Sequence, residues 1–78
     1  MEKLVTAFVL VLVTAGKERE ILEKLKEMPE VKEAYMVYGE YDLLLKVESE
    51  TLKGLDNIIM GKIRKMPEIQ LTSTLIAV

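Results

Sequence analysis

The polar side chains that could do chemistry in this 78-residue chain fall into two short clusters. Gly39-Glu40-Tyr41-Asp42 sets a carboxylate just behind a glycine, and Thr72-Ser73-Thr74 sets hydroxyls along a few successive residues. In an extended segment Thr72 and Thr74 share one face, because side chains alternate with a period of two. Hydroxyls and a carboxylate can hold a small polar ligand by hydrogen bonding and by pairing a cation. They are a poor catalytic set. The chain has no His and no Cys, which removes the commonest general base, the thiol nucleophile and the soft metal ligands. No metal and no cofactor is therefore expected. Glu33, Lys46 and the tyrosines are the remaining proton carriers. Each cluster also has a plainer reading: Gly39–Asp42 as a hairpin turn whose Asp42 accepts a backbone N–H, and Thr72–Thr74 as ordinary strand.

The elements that must position these groups are legible because the chain repeats. Ile21-Leu22 recurs as Ile59-Met60, Lys24-Leu25 as Lys62-Ile63, and Met28-Pro29-Glu30-Val31 as Met66-Pro67-Glu68-Ile69, always at one offset close to half the chain. Two βαβ halves are indicated. Leu4–Val13 is apolar at odd and even positions alike and rich in β-branched residues, as in a central strand covered on both faces. Gly16 breaks it. Ile21, Leu22, Leu25 and Met28 then form one helical stripe among charged residues, with Glu20–Lys24 and Arg19–Glu23 spaced to pair along the helix. Pro29 ends that helix.

The spacing predicts a second strand over Val31–Tyr38, a turn at Gly39-Glu40-Tyr41 and a third strand over Asp42–Val47. A second helix is predicted over Glu50–Lys65, capped by Ser49, with Leu52, Leu55, Ile59, Ile63 and Met66 as its buried stripe. Ile58 and Met60 fall outside the stripe and are candidates for a second contact, between dimers. Ile69–Ala77 forms the last strand. Met28 and Met66 read as core fillers, and Tyr35 and Tyr38 as rings lying on the sheet. The order βαββαβ predicts a ferredoxin-like α+β fold over residues 1–78: one domain, with an antiparallel sheet and both helices on one face.

Composition bounds the partners. A chain this short buries only about 60% of the surface it exposes when unfolded, yet 50% of its residues are hydrophobic. The net charge is −2 with no basic block, so a phosphate-driven nucleic-acid surface is not expected. The aromatics are too few and scattered for base stacking. The apolar run Leu4–Ala15, preceded by Lys3, is shorter than the roughly 20 residues of a membrane span. Its β-branched content reads as a strand rather than a signal peptide, so a cytoplasmic location is expected. Apolar residues occupy both sides of the strands: Phe8, Leu10 and Leu12 oppose Ala7, Val9 and Val11, Leu44 opposes Leu43 and Leu45, and Leu71 and Leu75 oppose Ile76. Two helices roof only one side. Several hundred Å² of bare surface is worth on the order of 10 kcal/mol when removed from water, so a second copy is expected to cover it, sheet against sheet.

At Gly39-Glu40-Tyr41-Asp42 and the leucine-rich strand after it, the sequence resembles a known family. Ala7–Val13, Gly16-Lys17-Glu18-Arg19, Met28-Pro29-Glu30-Val31 and Thr72-Ser73-Thr74-Leu75-Ile76 carry the same resemblance over essentially the whole chain. It is similar to the effector-binding, or RAM (regulation of amino acid metabolism), domain of the Lrp/AsnC transcription regulators. Those regulators also carry a helix-turn-helix DNA-binding domain. Here the first strand begins near residue 4, so the chain resembles the stand-alone version, without direct contact to nucleic acid.

The resemblance implies dimers built through the sheet faces, a dimeric α+β barrel, assembled into rings such as octamers. It implies an amino-acid effector held between dimers by Gly39, Glu40, Tyr41 and Asp42 of one subunit and Thr72, Ser73 and Thr74 of another. Backbone N–H groups at the turn and the threonine hydroxyls suit the effector's carboxylate, and Asp42 suits its ammonium. A non-enzymatic sensor is the expected function. Two alternatives stand beside it: an accessory subunit that assembles with full-length Lrp/AsnC regulators, and a small enzyme on a related dimeric barrel.

Overall fold

A computed structural model describes residues 4–78; Lys3 and the two residues before it lie outside the described part. The order is β1 (Val5–Val13), α1 (Glu18–Lys26), β2 (Val31–Met36), β3 (Leu43–Ser49), α2 (Leu52–Ile58), a π-helical turn (Ile59–Ile63) and β4 (Ile69–Ile76). The strands form one antiparallel sheet in the order β2-β3-β1-β4. This is the expected ferredoxin-like arrangement. The repeat is visible in the hydrogen bonds themselves: the Val31 N–H donates to the Met28 carbonyl at 3.1 Å, and the Ile69 N–H donates to the Met66 carbonyl at 3.1 Å. Each proline-bearing junction thus closes a tight turn that feeds an edge strand.

One face of the sheet makes the core. Ala7, Val9, Val11 and Val13 of β1 and Leu43, Leu45 and Val47 of β3 pack with Ile21, Leu22 and Leu25 of α1 and with Leu55, Ile58, Ile59 and Ile63 of the second helical segment. Both helices therefore cover the same side, and Met28 and Met66 fill in at its margin. Strand alternation turns Phe8, Leu10, Leu12, Leu44, Leu71 and Leu75 to the other side. There Leu71 and Leu75 are 52% and 57% exposed. An apolar sheet face stands without a roof.

The second helix departs from expectation. It begins at Leu52, and its cap is Thr51, whose Oγ1 accepts the Gly54 N–H at 2.9 Å. Ser49 still belongs to β3. Leu52 is exposed and Ile58 is buried, the reverse of the predicted stripe. Leu55, Ile58 and Ile59 stand at i, i+3 and i+4, one helical face, so the neighbours Ile58 and Ile59 both point into the core as Ile21 and Leu22 do in α1. After Ile58 the helix widens, and the Arg64 N–H reaches the Ile59 carbonyl at 2.8 Å. Strand β2 stops at Met36, short of Tyr38; the Val37 N–H adds one last bond to the Asp42 carbonyl opposite it at 2.9 Å, and the chain then bends at Gly39 and Glu40. Tyr38 is fully exposed and packs on nothing. In α1, Glu20 pairs with both Lys17 and Lys24 at 3.7 Å.

Candidate functional site

Gly39 and Glu40 form the bend between β2 and β3, and Gly39 adopts φ +135°, a conformation that side chains resist. That bend brings Asp42 back beside the end of β1. The Asp42 N–H donates to the Val11 carbonyl at 2.9 Å, and the Val13 N–H donates to Asp42 Oδ2 at 2.9 Å. The carboxylate therefore fills the donor that β1 presents on its β3 side just beyond Val11 and Leu43, where the β1–β3 pairing ends. One oxygen holds the backbone. The other has no partner among the described residues, and Asp42 lines a shallow concavity of ≈ 350 Å³ together with Gly16, Glu18, Arg19, Val37 and Tyr38.

The Thr72–Thr74 segment divides. Thr72 pairs with Val11 and Thr74 with Val9, so both side chains stand on the helix side of the sheet, whereas Ser73 pairs with Leu10 on the bare face. Thr72 and Thr74 join Leu52, Ile59, Met60, Arg64 and Ile76 along a groove of ≈ 510 Å³ between β4 and the second helical segment. Its wall is mostly hydrocarbon. Leu52, expected in the buried stripe, and Met60, which fell outside it, are both exposed and line this groove.

Within one chain the two clusters do not meet. Val11 pairs with Leu43 on one side and with Thr72 on the other, so β1 stands between the Asp42 turn and the threonines. Two interstrand spacings are about 10 Å. Among the described residues no group of His, Cys, Asp or Glu could hold a metal ion, and no helix is long and apolar enough to cross a membrane. One further polar constellation, missed as a unit in the sequence, lies on the bare face. Lys46 Nζ is 3.7 Å from Glu33 Oε2, and the Tyr35 hydroxyl donates to Glu33 Oε1 at 2.8 Å. That hydrogen bond, reinforced by the carboxylate's charge, pushes the Tyr35 phenol up from its ordinary pKa. A bulge between Val31 and Glu33 sets this register, which single-strand alternation does not reveal.

Sequence and fold point to the same relatives. The family model described as the Lrp/AsnC ligand binding domain matches residues 6–78. The regulatory protein AsnC of Haemophilus influenzae is 36% identical over 74 residues, which is 94% of this chain and 49% of that protein. The chain thus spans about half the length of this curated relative. The crystal structure of FFRP-DM1 superposes with a TM-score of 0.93 at 70% identity, covering 95% of this chain and 99% of that one. A transcriptional regulator from Neisseria meningitidis, solved as a complex with L-Met, shares the fold with a TM-score of 0.85 at 20% identity over 95% of this chain and 49% of that one. The chain belongs to the Lrp/AsnC ligand binding domain family.

Proposed function

We propose that this domain is an oligomeric, non-enzymatic sensor of a free amino acid. Two copies pair through their bare sheet faces, and the effector sits where one pair meets another. The observation that carries the reading is the separation of the polar groups by β1. Asp42 keeps one carboxylate oxygen available beside the Gly39 bend, and Thr72 and Thr74 stand across β1 from it, on the helix side of the sheet. A pocket offering both an anion for an ammonium and hydroxyls for a carboxylate needs two chains. Family membership supports a small-molecule ligand, and the Neisseria relative's L-Met complex is consistent with an amino acid. A ligand buried at such a junction ties assembly to its own concentration by mass action.

Titration calorimetry against a panel of amino acids tests this. Saturable binding of at least one at millimolar concentration or tighter is expected. Silence across the panel contradicts the sensor reading.

A second reading rests on the same apolar face. It could serve equally to join this chain to a longer relative, making it an accessory subunit of full-length regulators. Co-purification with such a regulator, together with no effector binding, favours that role.

A further inference from the structure

The charged side chains of the bare face gather at one corner. Lys46 lies on β3, one strand in from the sheet edge, and Glu33 lies opposite it on β2. Phe8 flanks Lys46 across β1, and Leu44 flanks Tyr35 across β3. Hydrocarbon therefore borders the corner on its inner side, while Glu48 and Thr6 extend it along the strands. Both oxygens of Glu33 are engaged, one by Lys46 and one by Tyr35. The Lys46 ammonium is not so well served. It carries three donors, and its one carboxylate neighbour sits at 3.7 Å, beyond good hydrogen-bond range.

In a free chain, water completes that ammonium. When a second copy covers the face the water is lost, and an ammonium pressed against leucine would be left unpaired at high cost. The same corner of a second copy supplies what is missing. Its carboxylates and phenol are the acceptors that the rest of the face, apart from a few hydroxyls, does not offer.

Resting on the face-to-face pair proposed above, we infer that Glu33, Lys46 and Tyr35 form a polar key: the corner of one copy seats against the same corner of the other, Lys46 of each meeting Glu33 of its partner. The key fixes the register of an otherwise featureless leucine surface and selects an identical chain over relatives with other charges there. The leucines supply adhesion and the corner supplies identity.

The test is a mixing experiment with the charge-swapped chain E33K/K46E, which keeps the pair within each chain but reverses its sense. Tagged wild type and swapped chain are unfolded together, refolded and weighed by native mass spectrometry. Each is expected to pair with itself, with mixed pairs well below their statistical share. Statistical mixing overturns the key while leaving the face-to-face pair standing. A second measurement holds if the swapped chain does not fold. K46M, which strands Glu33, should weaken pairing by at least about tenfold, and E33Q/K46M should recover most of the loss. Equal pairing of K46M and wild type also overturns the key. A folded wild-type chain that never pairs removes the earlier reading and the key together.

Discussion

Lys62 Nζ lies 2.7 Å from Glu30 Oε2, tying the wide turn of the second helical segment to the junction where α1 gives way to β2. The two residues come from different halves of the repeat. Glu30 is three-quarters buried, and the Lys62 hydrogen bond is the main cause that holds its carboxyl below the ordinary 4.5.

A carboxyl whose folded pKa is lowered stabilises the fold above its unfolded pKa and loses that contribution as pH falls through the folded value. Lys62 is more than half exposed, so K62M is expected to cost about 1 kcal/mol or less at neutral pH. The difference between wild type and K62M in urea midpoint should shrink progressively as pH falls below the ordinary carboxylate range, through the lowered value of Glu30. An undiminished difference there would mean that Lys62 acts through packing rather than charge.

Asp42 has two roles that substitution separates. D42A removes the acceptor of the Val13 N–H and should cost about 1–2 kcal/mol as well as effector binding. D42N keeps a side-chain oxygen for Val13 but removes the charge. It should melt close to wild type while losing most affinity for an amino-acid ammonium. If D42N binds as wild type does, Asp42 is a turn residue only.

The hydroxyls of the last strand should behave unequally. Thr74→Val keeps the strand shape and removes a hydroxyl on the groove side, so effector binding should fall by about tenfold. Ser73→Ala alters the opposite face and should leave effector affinity unchanged. Calorimetry on both variants decides, and equal losses would place the effector elsewhere.

Thr51, not Ser49, caps the second helix. T51A should lower stability by about 1 kcal/mol, roughly 4–8 °C in Tm for a domain of this size, with S49A costing less. The opposite order would restore the cap inferred from sequence.

How far the sequence reveals this fold depends on the kind of signal. The Met28-Pro29 and Met66-Pro67 phrases located both helix ends, because proline acts locally and unmistakably. The odd-position residues of β1 could not be assigned to the roofed side from sequence, since the even positions are equally apolar. The structure shows Ala7, Val9 and Val11 beneath the helices. The wide turn at Ile59–Ile63 was invisible, because a single inserted residue leaves no compositional mark. Of the candidate site, Asp42 was legible as a turn residue, but its bond to Val13 spans 29 positions and depends on a strand register no local pattern fixes. Thr72 and Thr74 were correctly placed on one face by alternation. That the face looks onto a groove rather than onto Asp42 follows from β1 lying between them.

Sedimentation equilibrium at low micromolar concentration, with folding checked in the same sample, bears most directly on the unroofed sheet. A particle of twice the 8.9 kDa chain mass, or a multiple of it, is the expected result. A well-folded single chain persisting at that concentration would contradict it.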